Sequence, residues 1–333
     1  MSDESPASGD VEEPDRTTRV APPSPSDLIR ANAGRILGDM LDEGLAGMEC
    51  EGDTVGPYRL CEVIGEGGFG NVWRAEQTEV VRREVALKVI KLGMDTAQVI
   101  RRFNQERQAL ASLKHPHIAT MLDAGVGPNG RPYFAMELVR GGTITRWCQE
   151  HNATLPERLR LFIQVCQAVQ HAHEKGILHR DIKPSNVLVT EVDGAPVPKV
   201  IDFGIAKAMS GSQAELSLLT QTGQVIGTPV YMSPEQIEGG RRLDARSDVY
   251  ALGALLYEIL AGEQAFDLSS VGTGGLAAVR HLILETHPER PSTRLRQKTS
   301  AAKHGESGEK PILSTLPADL DWITMKALEK DRL

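Results

Sequence analysis

Two short runs, placed so that Asn186 of the first lies sixteen residues before Asp202 of the second, constrain this chain of 333 residues more than anything else in it. The first, His179-Arg180-Asp181-Ile182-Lys183-Pro184-Ser185-Asn186, follows a helical pattern and precedes the apolar run Val187–Val189. The second, Val200-Ile201-Asp202-Phe203-Gly204, comes after an expected turn over Val192–Pro198. A structural loop has little packing reason to carry Asp181, Lys183 and Asn186 together. An aspartate there can orient a hydroxyl and accept its proton, Asn186 and Asp202 can ligate Mg²⁺, and Lys183 can neutralise charge on a transferring phosphoryl group.

Upstream lies Gly65-Glu66-Gly67-Gly68-Phe69-Gly70-Asn71-Val72, a G-x-G-x-x-G-x-V run whose glycines let a backbone approach phosphates closely. Alone it is ambiguous, because dinucleotide folds use the same glycines. A dinucleotide site would place a helix directly after them, whereas Asn71–Ala75 reads as a continuing strand. Val85–Val89 then buries Lys88 in an apolar strand, where a charge needs a partner. Glu106, on the helical pattern Thr96–Leu113, is the expected one. The bland alternative is a surface salt bridge worth little. Downstream, Ser247–Tyr250 opens a buried helix. Asp248 is either a plain N-cap or, the favoured reading, a carboxylate holding the backbone of the Asp181 loop from below.

Short β-like runs at Tyr58–Ile64, Asn71–Glu76, Glu84–Ile90 and Tyr133–Leu138 come first. Helical patterns follow at Leu155–Lys175 and Asp248–Ala261. Strands then helices imply an α+β fold of two unequal lobes joined near Glu137–Gly142. The expected organisation is a leader over 1–55 and a folded domain over 58–333, with an N-lobe of about 58–138 and a C-lobe of about 143–333. The leader holds 13 acids against four Arg and is poor in large apolar residues, so it is expected to be largely disordered, with a short helix over Asp27–Met48. The rest of the chain is nearly neutral, which argues against nucleic-acid partners. No apolar stretch approaches a membrane span. Four scattered cysteines and no signal peptide point to the cytoplasm.

Taken together, these motifs resemble the protein kinase superfamily, and specifically the eukaryotic-like serine/threonine kinases of bacteria. The resemblance covers about residues 58–333 and implies the two-lobed kinase fold, with ATP and Mg²⁺ as cofactors. It implies Asp181 as catalytic base, supported by Lys183, with Lys88 on the α/β-phosphates and Glu106 directing it. Asn186 and Asp202 would bind the metal. Ile64, Gly65, Glu66, Gly67, Gly68, Phe69, Gly70, Asn71 and Val72 would cover the nucleotide. Ala86 and Leu188, with Val72, would sandwich adenine. Met136 matches the gatekeeper, and Glu137 to Val139 the adenine-binding hinge. Leu110, His179 and Phe203 would stack as a regulatory column.

Lys183 and Thr228 match the serine/threonine branch, so the implied partners are protein substrates with Ser or Thr acceptors. Arg180 before the catalytic Asp implies control by activation-segment phosphorylation. Thr220 and Thr222 sit where similar kinases are autophosphorylated, implying a kinase–kinase contact in trans. Three departures stand out. Ser233 replaces the alanine of A-P-E. The chain stops before the arginine that the family pairs with the glutamate at Glu235, with Arg332 slightly too early, so a truncated C-terminal end and a catalytically weak scaffold form the alternative. A kinase of small molecules is a second, disfavoured by the Gly227–Glu235 segment. Residues 268–315, with Arg290, Arg294, Arg296, Lys298 and Lys303, read as a solvated insert or a docking patch.

Overall fold

A computed structural model describes residues 49–67, 70–79, 82–90, 108–127, 130–203, 229–239, 243–268, 275–303 and 315–331. The chain divides into one unit up to Glu49 and a second from Cys50 to Leu333. Apart from Glu49 the first unit lies outside the described residues, as does the helix expected over Asp27–Met48. All of the described secondary structure belongs to the second unit.

This second unit begins with an antiparallel sheet of six strands in the order β1-β2-β3-β4-β6-β5. These are β1 (Thr54–Val55), β2 (Tyr58–Gly67), β3 (Gly70–Gln77), β4 (Arg83–Ile90), β5 (Met121–Val126) and β6 (Pro132–Glu137). Alternation of apolar and polar residues drives β3, which buries Trp73 and Ala75. Strand β4 is central and buries Val85 to Ile90 without a break, including Lys88.

The second part is mainly helical. β7 (Gly142–Thr143) leads into α1 (Ile144–Glu150) and α2 (Leu155–Glu174), followed by a small sheet of β7, β8 (Val187–Val192) and β9 (Ala195–Val200). Then come α3 (Pro234–Glu238), α4 (Ala245–Ala261), α5 (Gly275–Glu285), α6 (Pro291–Lys303) and α7 (Ala318–Ala327). Helix α2 starts at a capping box, in which Glu157 accepts the Thr154 N–H at 2.7 Å. Helix α4 buries 12 of its 17 residues and is the axis of this lobe. One apolar core, holding Ile90, Leu110 and Phe134 together with Leu161, Ile182, Phe203 and Leu255, runs from the first lobe into the second. The two-lobed α+β architecture expected from the sequence is therefore the one adopted. Among the described residues no helix is long and apolar enough to cross a membrane.

Two expectations are corrected. The turn placed over Val192–Pro198 is confined to Asp193 and Gly194, both at positive φ, and Ala195–Val200 is a strand paired with β8. Pro196 and Pro198 are accommodated because β9 is an edge strand, where a missing N–H costs no ladder bond. Much of 268–315 is not a loose insert either. Helices α5 and α6 bury Val279, Ile283 and Leu295. Residues 304–314 lie outside the described residues, and so does most of the helix expected over Thr96–Leu113, of which 108–111 is helical.

Candidate active site

The Asp181 loop is held from beneath. Asp248, 1% exposed on α4, accepts the backbone N–H groups of His179 and Arg180, each at 2.8 Å. His173 of α2 adds a third contact at 2.7 Å. The N-cap of α4 is Asp244, not Asp248, so the favoured reading of Asp248 holds. Burial alone would push the Asp248 carboxyl up, but the His173 hydrogen bond and the two N–H donors outweigh it and hold the pKa below the usual aspartate value.

His179 is fully buried. Its Nε2 donates to the Ile201 carbonyl at 3.1 Å, and its Nδ1 accepts the Asp181 N–H at 3.3 Å. A single neutral tautomer satisfies both bonds, and burial lowers the imidazole pKa in keeping with that. Its ring lies 4.6 Å from that of Phe203. Leu110 and Phe203 share one core and line one cavity with Met136 and Asp202. The three expected column residues are thus neighbours.

Asp181 is gripped on several sides. Lys183 Nζ lies 2.9 Å from its Oδ2. The Asn186 side-chain amide donates to the same oxygen at 3.0 Å and to the Asp181 carbonyl at 2.8 Å. Asn186 in turn accepts the Ile201 N–H through its own backbone carbonyl at 2.9 Å, which ties this loop to the segment carrying Asp202. Arg180 and Asp202 hold positive φ (64° and 58°), a conformation costing on the order of 1–3 kcal/mol per residue that clusters at functional sites.

Lys88 reaches across the cleft to Asp202, with Nζ 2.5 and 2.6 Å from the two carboxylate oxygens. Asp202 is therefore the partner seen for the buried lysine, while the expected Glu106 lies outside the described residues. In the sheet register Val72 stands opposite Lys88 and Ala86 opposite Met136, which puts Val72, Ala86 and Lys88 on one face. Leu188, on β8, stands opposite Lys199.

The described glycines of the run lie at the end of β2 and the start of β3. Gly65, Glu66 and Gly67 pair with Val72, Asn71 and Gly70, and Ile64 is exposed just before them. A strand follows the glycines, as expected. Gly68 and Phe69 lie outside the described residues, as do Gly204, Thr220, Thr222, Thr228 and Arg332. Gly70 has a packing reason of its own: a Cβ there would sit 2.1 Å from the Val89 carbonyl oxygen. Val139 lies half-buried in the segment leaving β6.

Three contributors were not singled out from sequence. Gln236 donates to the Arg180 carbonyl at 2.8 Å and accepts the Ser233 N–H at 2.9 Å, so the unusual serine caps α3. The S-x-x-Q spacing is a readable signal for that cap. His173 and Lys199 carry no local signal. Glu235 is buried and accepts the Ser247 hydroxyl at 2.5 Å.

The "Protein kinase domain" family model matches residues 58–304. The chain is 40% identical over 281 residues to a probable serine/threonine-protein kinase of Streptomyces coelicolor, covering 83% of this chain and 37% of that one. It is 37% identical over 280 residues to the serine/threonine-protein kinase PknB of Mycobacterium tuberculosis, covering 82% and 40%. With PrkC of Bacillus subtilis it shares 39% over 233 residues, covering 69% and 34%. It thus spans about a third to two-fifths of the length of these curated relatives. Among solved structures, the PknI kinase domain of Mycobacterium tuberculosis superposes with a TM-score of 0.54 at 25% identity, over 84% of this chain and 99% of that one. With its motifs in order on a two-lobed frame, the chain belongs to the protein kinase domain family.

Proposed function

We propose that this domain transfers the γ-phosphoryl group of ATP to serine and threonine hydroxyls of proteins. The observation that carries the reading is the convergence of Asp181, Lys183, Asn186, Lys88 and Asp202 on one cleft, on a loop fixed by Asp248.

The acceptor hydroxyl gives its proton to the Asp181 carboxylate as its oxygen bonds to the γ-phosphorus, and the bond from that phosphorus to the ADP oxygen breaks. Lys183, beside Asp181, stabilises charge on the phosphoryl oxygens. Lys88 serves the α/β-phosphates. The Asn186 amide and the Asp202 carboxylate offer the oxygen donors that Mg²⁺ prefers, and both border the cleft, so the donor set fits that ion. Bound there, the ion would offset phosphate charge. Val72, Ala86 and Leu188 would enclose adenine against Met136 and residues 137–139.

Regulation by trans-autophosphorylation at Thr220 or Thr222 belongs to the same proposal. Its support is Arg180, whose Nε is buried with no hydrogen-bond partner among the described residues, next to Asp181. A phosphate carrying about −1.5 to −2 charges would satisfy it. A reducing, cytoplasmic setting is proposed too. Cys148 is a core residue, and burial pushes its thiol and that of the half-buried Cys166 up to about 11.

The test is incubation with γ-labelled ATP, Mg²⁺ and a mixture of protein acceptors, followed by phosphoamino-acid analysis. Label on phosphoserine and phosphothreonine is expected. Label on phosphotyrosine alone, or on small molecules but no protein, would refute the assignment.

A further inference from the structure

The strand that delivers Asp202 is tied to the end of β6 by a pair of side chains that phosphoryl transfer itself does not require. Lys199 Nζ lies 3.0 Å from Glu137 Oε1 and 3.1 Å from Oε2. The Glu137 carboxylate also accepts the Thr120 N–H at 3.1 Å, while the Glu137 N–H donates to the Thr120 carbonyl at 2.8 Å. One residue beyond Lys199, the Val200 N–H donates to the His117 carbonyl at 2.8 Å, and the Val200 carbonyl accepts the Ala119 N–H at 2.9 Å. Segment 117–120, Glu137 and Lys199–Val200 therefore form a closed frame.

The two ends of this frame point at different parts of the cleft. Glu137 ends β6 at the start of the segment assigned to adenine. Lys199 stands opposite Leu188 and three residues before Asp202. An exposed ion pair would be worth little. This one is better sheltered, with the Lys199 side chain only 15% exposed and that of Glu137 35%. Leaving either charge there without the other carries a desolvation penalty that a surface pair would not.

We infer that Lys199, through its bridge to Glu137, is a positioning residue for nucleotide binding, holding the adenine-facing segment and the Asp202 strand at a fixed separation. The inference rests on the proposal that this cleft takes ATP. Lys199 is not expected to touch the nucleotide. It acts by keeping two walls of the site in register, so both adenosine and phosphate-bearing ligands feel its loss.

Calorimetric titration with two probes, Mg-ADP and adenosine, separates the possibilities. Lys199→Met and Glu137→Gln are each expected to weaken both probes by a similar factor of about three to ten. The double variant should be no weaker than either single one, because the pair acts as a unit. Lys199→Arg, which keeps the charge, should recover most of the affinity, and a thermal melt of each variant verifies that it is folded. Unchanged binding of both probes would overturn the inference. Weakening of Mg-ADP alone would also overturn it, by showing a long-range attraction of the ammonium for phosphate. Additive losses in the double variant would do the same. Failure of the wild type to bind Mg-ADP would instead refute the nucleotide reading on which the inference stands.

Discussion

At the scale of single residues, Asp248 shows how one buried charge can organise a site it never enters. Its carboxylate spends its lone pairs on His173 and on the N–H groups of His179 and Arg180, fixing the loop immediately before Asp181. An asparagine would keep the shape but set an NH₂ against donors, leaving at least one buried N–H unpaired. Asp248→Asn is expected to lower both kcat and the urea midpoint. The pH dependence has a defined sign. A carboxyl held below its ordinary pKa stabilises the fold above the unfolded-state value, and that benefit is lost as pH falls through the folded-state value. The stability gap between wild type and Asp248→Asn should therefore narrow in urea melts taken at pH values below the ordinary aspartate pKa. A gap that stays constant with pH would contradict the role given to the charge.

At the scale of elements, Arg158 shows what joins the helices of the larger lobe. It is 4% exposed and donates to three carbonyls: Ala153 at 2.8 Å, Ile259 of α4 at 2.7 Å and Cys148 of α1 at 3.2 Å. One guanidinium thus satisfies acceptors from α1, the α2 entry and the end of α4. Arg158→Met would fill much of the volume but strand those acceptors, at a cost of about 2–4 kcal/mol measurable by denaturant unfolding. A loss under about 0.5 kcal/mol would show that water replaces the guanidinium. Arg158 also marks where sequence reading reaches its limit. Apolar periodicity gave α2 and α4 nearly to their ends, and the glycine-rich and His-Arg-Asp runs placed the cleft, because those signals are local. The partner of Lys88, the bridge from Lys199 to Glu137 and the three carbonyls around Arg158 join residues far apart in sequence, and nothing local encodes them. The turn expected over Val192–Pro198 ran too long for a related reason: only the sheet order shows that β9 is an edge strand, where Pro196 and Pro198 are tolerated.

At the scale of the whole molecule, the last described segment folds back on the central helix. The Lys330 ammonium lies 4.4 Å from the centre of the Phe266 ring and 5.5 Å from that of Tyr250 on α4, and it donates to the Tyr250 hydroxyl at 3.1 Å. Burial lowers its pKa to about 8. For a lysine shifted this way, the unfolded chain binds more protons between the folded and ordinary values, so stability rises with pH across that window. Between about pH 8 and pH 10 the melting temperature of the wild type should therefore climb relative to that of Lys330→Met, whereas parallel curves would contradict the burial of a charged ammonium. In the proposed function, the core shared by the two lobes and the Asp248 anchor hold in place the loop that carries Asp181, the proposed base. The most direct measurement is intact-mass spectrometry of the purified chain after incubation with Mg-ATP, beside Asp181→Asn. The account predicts additions of about 80 Da, one phosphoryl group each, on the wild type and a rate at least about 10²-fold lower in the variant, with nucleotide binding retained. Equal phosphorylation of both proteins, or none on a wild type that binds Mg-ATP, would contradict it.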